Sequence, residues 1–339
     1  MKKILKFILW VIIIFVLVVF CYFFIGKGKP AEKIEWGVTF SKRPFVDFEM
    51  GWKESYLKIL DELKVKKIRL IAYWNDIEQE KGKYDFSDLD FQIKEAEKRG
   101  AEIIVVVGRR VPRWPECFEP DWTKVAQGGL PLDEAKEQEK ILAFITKTIT
   151  HYKNNSSIKI WQVENEPFLG TFGECSKLDK NFFDLELALV KGLDPNKPIM
   201  ITESGEFSTW VGAAKRTDTI GTSVYRRIYG KLGYVTYPIP AVFYQRKSNL
   251  IRLLFGKKDI IAIEVQAEPW GHKPNQSMTI AEQDMSMSFE RFNGILEYVK
   301  NAGFDKAYLW GVEWWLWRKE KFNDDRFWNR AKELFITNQ

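Results

Sequence analysis

Hydrophobic and polar positions divide the chain into two unequal parts. Residues 7–25 form an apolar run of 19 residues without a charge. As a helix, a run of that length crosses the hydrocarbon core of a bilayer. Lys2, Lys3 and Lys6 precede it, and Gly26-Lys27-Gly28-Lys29 follows without the small-residue site at which a signal peptide is removed. The pattern predicts an uncleaved N-terminal anchor embedded through residues 4–25, with a short linker ending at residue 30. From residue 31 to 339 short β-branched runs alternate with amphipathic stretches, which is the signature of a parallel α/β domain.

Eight strands can be read in that domain. They are expected at 36–40, 67–73, 102–108, from Ile158 until Pro167 stops the chain, and at 198–202, 218–224, 259–265 and 306–312. Between them fall helical patterns. Tyr56, Leu57, Leu60 and Leu63 share one face of a helix at 51–64, and Leu89, Ile93 and Ala96 follow Ser87 and Asp90, which have capping-box spacing. Further helices are expected at 133–152, up to Gly256, and from a Thr279/Glu282 cap through Phe289, Phe292, Leu296 and Val299. The expected fold is a (β/α)8 barrel preceded by a single transmembrane helix.

Charge narrows the partners. The formal net charge of +6 is concentrated at the start: residues 1–30 carry five lysines and no acid, and removing those five leaves 47 basic residues against 46 acidic ones. A nearly neutral domain lacks the basic surface that nucleic-acid binding requires. The chain has two histidines, His151 and His272, and no Cys-x-x-Cys pattern, so no metal site and no cofactor are expected.

The chemistry is carried by strand ends. Ile158-Lys159-Ile160-Trp161-Gln162-Val163-Glu164-Asn165-Glu166-Pro167 delivers an amide and a carboxyl to the C-terminal mouth of the fourth strand, where barrels place their reacting groups. The seventh strand, Asp259-Ile260-Ile261-Ala262-Ile263-Glu264-Val265, delivers a second carboxyl, Glu264, 98 residues later. At about 31 residues per unit in a barrel of about 250, that is three units. Two carboxyls facing one another across a cleft are the minimum for hydrolysing a glycosidic bond.

This arrangement resembles the retaining glycoside hydrolases of clan A, the barrel enzymes that include β-galactosidases and cellulases. Their fourth strand ends in Asn-Glu and their seventh in a nucleophilic Glu. The resemblance implies that Glu166 is the acid/base, Glu264 the nucleophile, and Asn165 the partner of a sugar 2-hydroxyl. It further implies that Arg69 on the second strand braces the nucleophile, with Tyr225 beside it, and that Trp310, in Tyr308-Leu309-Trp310-Gly311, floors the sugar site. Glu268 falls where such sequences tend to have a small residue, and is a substrate contact or a rival nucleophile, as Glu203 is more weakly. The strand pattern favours Glu264. Among 14 tryptophans, Trp74, Trp114, Trp161, Trp270, Trp310 and Trp314 are candidates for stacking on sugar rings. Glu313 is either a polar contact or a salt-bridge partner.

The expected protein is therefore a monomeric, single-pass enzyme of the cell membrane, N-terminus inside and barrel outside, acting on an oligo- or polysaccharide. The alternative is a catalytically silent barrel that binds carbohydrate or serves as a scaffold. Cys117 and Cys175 lie in the loops after the third and fourth strands, on one face of a barrel, and an oxidising compartment would let them bond.

Overall fold

The computed structural model describes residues 2–124 and 133–337, so residues 1 and 338–339, which end the two expected segments, lie outside the described residues. Lys2–Phe24 is one helix with a mean hydropathy of 3.2 over its most apolar window and no buried residue there, long and apolar enough to cross a membrane. Its last turn is fastened to the domain. The rings of Phe23 and Phe24 lie 5.6 and 5.4 Å from that of Phe243. Arg246 donates to the carbonyls of Cys21 (3.3 Å), which also accepts the Ile25 N–H, and of Ile25 (2.8 Å), just beyond the helix end. The main chain of Lys29 exchanges two hydrogen bonds with the Gln245 amide, at 2.9 and 2.7 Å.

The domain is a closed barrel of eight parallel strands in sequence order: β1 (Glu35–Thr39), β2 (Lys67–Ile71), β3 (Glu102–Val107), β4 (Ile158–Val163), β5 (Ile199–Glu203), β6 (Thr219–Val224), β7 (Asp259–Gln266) and β8 (Lys306–Trp310). Closure is made by β8 against β1, in register from Glu35↔Lys306 to Thr39↔Trp310. Alternation along each strand sorts the side chains. Ile103, Val105 and Val107 of β3 join the large core under the helices, whereas Ile104 packs with Met200, Ile261, Ile263 and Tyr308 in a separate cluster. A side chain at Gly37 would have its Cβ 2.7 Å from the Tyr308 ring and from the Lys67 carbonyl, so that position of β1 must stay bare.

The helices follow the expected pattern with instructive differences. Asp133 and Asp179 cap the helices Glu134–Tyr152 and Lys180–Leu193 by accepting backbone N–H groups, and Thr279 with Glu282 forms a true capping box. The long helix expected after that box is two helices, Ile280–Met287 and Phe289–Asn301. Ser288 is extended between them and its hydroxyl caps the second. Ser87 makes no side-chain cap; Asp85 instead accepts its backbone N–H at 2.9 Å. Strand eight ends at Trp310 rather than at residue 312, because Gly311 at φ 125° turns the chain into the helix Val312–Phe322. A hairpin, Arg227–Gly230 with Gly233–Thr236, stands on the mouth after β6 and was not anticipated.

Candidate active site

The mouth is organised by Arg69, which β2 holds entirely out of solvent. Its three nitrogens divide among three partners: Nε donates to Gln162 (2.9 Å), Nη2 to Asn165 Oδ1 (2.9 Å) and Nη1 to Glu264 Oε2 (3.1 Å). A buried guanidinium is tolerable only when so paired. The other oxygen of Glu264 accepts the Tyr225 hydroxyl at 2.7 Å. Burial, reinforced by the Glu264 charge, pushes the phenol of Tyr225 well above its ordinary pKa, so it remains a donor.

Glu166 reaches the same mouth by an irregular path. After β4, Glu164 (φ 57°) and Glu166 (φ 42°) adopt left-handed backbone conformations that side chains other than glycine rarely take. Hydrogen bonds fix that turn. Glu164 N–H donates to the Val107 carbonyl (2.9 Å), Asn165 N–H to that of Arg110 (2.7 Å), and Glu166 N–H to Thr202 Oγ1 (2.8 Å). The Glu164 carboxylate accepts the backbone N–H groups of Arg109 and Arg110, both at 2.7 Å. Glu166 is itself buried, with Ser223 Oγ 2.9 Å from Oε1. Burial raises its pKa well above the ordinary value, and the charges of Glu264 and Glu116 push it further. The two carboxyls are thus close enough to sense one another, yet one faces an arginine and a phenol and the other faces a serine and like charges.

The structure also places the rivals. Glu268 is bound by Arg113 (2.5 Å), whose other arm holds Glu313 (2.7 Å), so Glu313 is a salt-bridge partner. Burial pushes Glu313 up to about 7 against the pull of Arg113. The same guanidinium lies 4.1 Å over the ring of Trp310 and covers one of its faces. Glu203 is spent on the short helix Val211–Ala214, accepting Ala213 N–H (2.6 Å), Trp210 N–H (3.2 Å) and the Ser208 hydroxyl.

Of the tryptophans, Trp114 and Trp270 stand at the mouth. Trp114 is 60% exposed and meets Phe172 edge-on at 5.6 Å; Phe172 lies 5.4 Å from Trp270, and Trp270 meets Tyr225 edge-on at 5.0 Å. An aromatic row therefore runs from the loop after β3 to the partner of Glu264. Trp74 must be corrected: the chain turns into the helix Trp74–Ile77, which buries the ring against Phe144 (5.9 Å) and Trp122 (5.8 Å), with Nε1 donating to Glu78. It has no face for a ligand. Trp161 and Trp314 are likewise wholly buried, their indoles bonded to Asp194 and Gln283.

Sequence reading missed Glu116, Ser223, Glu206 and Phe172. Glu116 accepts Asn165 Nδ2 at 3.1 Å and an Arg110 N–H at 2.7 Å, and burial pushes it up to about 7. Arg110 also binds the carbonyls of Leu169 and Phe172, and the Cys117–Cys175 disulfide, Cα atoms 5.4 Å apart, ties the same two loops together. Among the described residues no cluster of three or more metal-binding side chains occurs.

Comparison with known proteins bears on the fold that carries this site. Residues 48–186 match the family model for β-galactosidase, and residues 119–285 match that for the TIM-barrel domain of glycosyl hydrolases family 2. No curated protein sequence matches the chain. Among solved structures, xylanase 10B from Thermotoga petrophila RKU-1 superposes with a TM-score of 0.55 at 15% identity, covering 82% of each chain. Xylanase XynB from Paenibacillus barcinonensis gives 0.55 at 12% identity over 82% of this chain and 83% of that one. An exo-β-1,4-mannosidase from Opitutaceae bacterium strain TAV5 gives 0.56 at 15% identity over 85% and 53%. Structural likeness at such identities concerns the fold. The two family models, each matching less than half of the chain, add a sequence similarity to barrel domains of glycoside hydrolases.

Proposed function

We propose that this protein is a membrane-anchored retaining glycoside hydrolase, or transglycosylase, acting on a β-linked glycan outside the cytoplasmic membrane. The observation that carries the reading is the opposite surroundings of two neighbouring carboxyls. Glu166, kept protonated, gives its proton to the glycosidic oxygen while a carboxylate oxygen of Glu264 attacks the anomeric carbon, forming a glycosyl–enzyme ester and releasing the aglycone. Glu166, now ionised, takes a proton from an incoming water or sugar hydroxyl, which displaces Glu264 and restores both groups. Asn165 is fixed by Arg69 and Glu116 and offers its remaining amide hydrogen to the 2-hydroxyl. Trp114, Phe172 and Trp270 supply faces for neighbouring sugar rings.

Two further observations support the location. The helix Lys2–Phe24 is suited to a bilayer, and the Cys117–Cys175 bond belongs in an oxidising compartment. A panel of aryl glycosides, offered to the full chain in detergent with Glu264→Gln as control, tests the chemistry. Hydrolysis by the native protein alone is expected; equal signal from both proteins would leave a binding barrel. Thiol labelling of intact cells tests the topology, and labelling of Cys117 or Cys175 only after a reductant is the expected result.

A further inference from the structure

Ser223 stands between two carboxyls. Its Oγ lies 2.9 Å from Oε1 of Glu166 and 3.2 Å from Oε2 of Glu206, and it accepts the backbone N–H of Gly205 at 3.1 Å. A hydroxyl has one proton to give and two lone pairs with which to accept. With one lone pair committed to Gly205, Ser223 can donate to one carboxyl and accept from the other. While Ser223 is hydrogen-bonded to both, one of the two carboxyls therefore brings a proton of its own.

Glu206 is furnished as the carboxylate. Its Oε1 accepts the Tyr225 backbone N–H and the Tyr244 hydroxyl, each at 2.7 Å, and its Oε2 accepts the Ser204 hydroxyl at 3.2 Å. Burial raises the pKa of Glu206, but these donors oppose the rise. Glu166 has no comparable set of donors: the Ser223 hydrogen bond and the more distant Arg69 charge favour its ionised form, against burial and the charges of Glu264, Glu116 and Glu206. Arg69 and Tyr225 also lie within electrostatic reach of Glu166. Facing Glu206 are Lys247 and Tyr244 from the helix Ala241–Phe255, Tyr237 before it, and Tyr298 from the helix Phe289–Asn301.

We propose that Glu206 and Ser223 form a rotor that sets the protonation of Glu166, with the Ser223 hydroxyl directed to Glu206 while Glu166 is an acid and to Glu166 once it is ionised. This rests on the assignment of Glu166 as acid/base. No proton passes through the rotor. The proton that reaches the glycosidic oxygen comes from Glu166, the Ser223 proton changes only its acceptor, and Glu206 stays ionised on its three other donors. The rotor thus supports the acid in the first half of a double displacement and the base in the second. Glu206 is a positioning residue, acting on substrate only through Ser223 and Glu166.

The test is an infrared titration of the full chain in detergent without substrate, in which the carboxylic acid band of Glu166 is identified by its loss in Glu166→Gln. Glu206→Gln puts an amide N–H in place of Oε2, obliging Ser223 to accept there and to donate to Glu166, so the band should titrate about one pH unit lower. Ser223→Ala removes a bond that favours the ionised form and should move the midpoint up. A plain charge effect of Glu206 would give the same downward shift with or without Ser223. The rotor instead requires that Glu206→Gln in the Ser223→Ala background shift the midpoint by less than half as much. An unmoved midpoint in Glu206→Gln, equal shifts in the two backgrounds, or no acid band from Glu166 would overturn the proposal. If Glu206→Gln does not fold, Ser223→Ala decides alone by the direction of its shift, upward in favour and unmoved or downward against. Since the band belongs to the free protein, its outcome is read independently of whether an aryl glycoside is cleaved.

Discussion

Glu166 and Glu264 end two strands of one barrel mouth, yet they differ in everything that governs a proton. Glu264 has a guanidinium on one oxygen and a phenol on the other. Glu166 has a hydroxyl that must also serve Glu206, and the charges of Glu264 and Glu116 bear on it. On the proposed reading, a pair of identical side chains is divided into acid and nucleophile by its neighbours, and the division can be undone from the neighbours' side.

The largest expected effect comes from removing the nucleophilic side of the contrast. Glu264→Gln should lower kcat/KM on an aryl glycoside by at least about 10⁴-fold, since no ester can form. Glu166→Ala should cost about 10²- to 10⁴-fold on poorly activated leaving groups but far less on activated ones, with azide restoring turnover of the glycosyl–enzyme. In the native enzyme the loss of activity at high pH should fall above the ordinary carboxylate range, because the acid works only while protonated and its pKa is raised. Tyr225→Phe sharpens the comparison more gently: removing one donor from a charged oxygen should reduce kcat about tenfold to a hundredfold, read by steady-state kinetics.

The smallest effect concerns stability behind the site. Glu164 and Glu186 are buried as a pair, and burial raises both; the Glu164 charge pushes Glu186 further up, while the hydrogen bond from Glu186 holds Glu164 back. A carboxyl whose folded pKa lies above its unfolded one contributes stability below the unfolded value and loses it as pH rises through the folded value. Thermal unfolding should therefore shift to lower temperature by a few degrees as pH climbs above the carboxylate range, and Glu186→Gln should flatten that slope.

How much of this could be read beforehand depended on whether a residue belonged to a repeating pattern. The ends of β4 and β7 could be found because each is an apolar run with a carboxyl at its close, and the 98-residue spacing matched three barrel units. Arg69 came from resemblance, and its partners turned out to be the residues that resemblance had named together with Gln162. Glu116 was invisible because it sits in an irregular loop, folded over the mouth by Arg110 and a disulfide, where no period operates. Phe172 was hidden for the same reason. Ser223 lies on β6 opposite Glu264 in register, but a serine at a strand end has no signature until the neighbouring strand is known. Trp74 misled in the reverse sense. It follows β2 directly, yet one turn of helix carries its ring beneath the mouth. The break at Ser288 escaped because the apolar spacing keeps its helical rhythm across it.

The central claim is that Glu264, and not one of the rival carboxylates, takes the sugar. An activated 2-deoxy-2-fluoro aryl glycoside of the sugar the enzyme cleaves slows the departure of the glycosyl group and leaves the ester intact for peptide mass spectrometry. The added mass should be found on the peptide containing Glu264 and at that residue, with the anomeric configuration retained in product formed from the ordinary substrate. An adduct on Glu203, Glu268 or Glu166, or an inverted product with no adduct, would contradict the account.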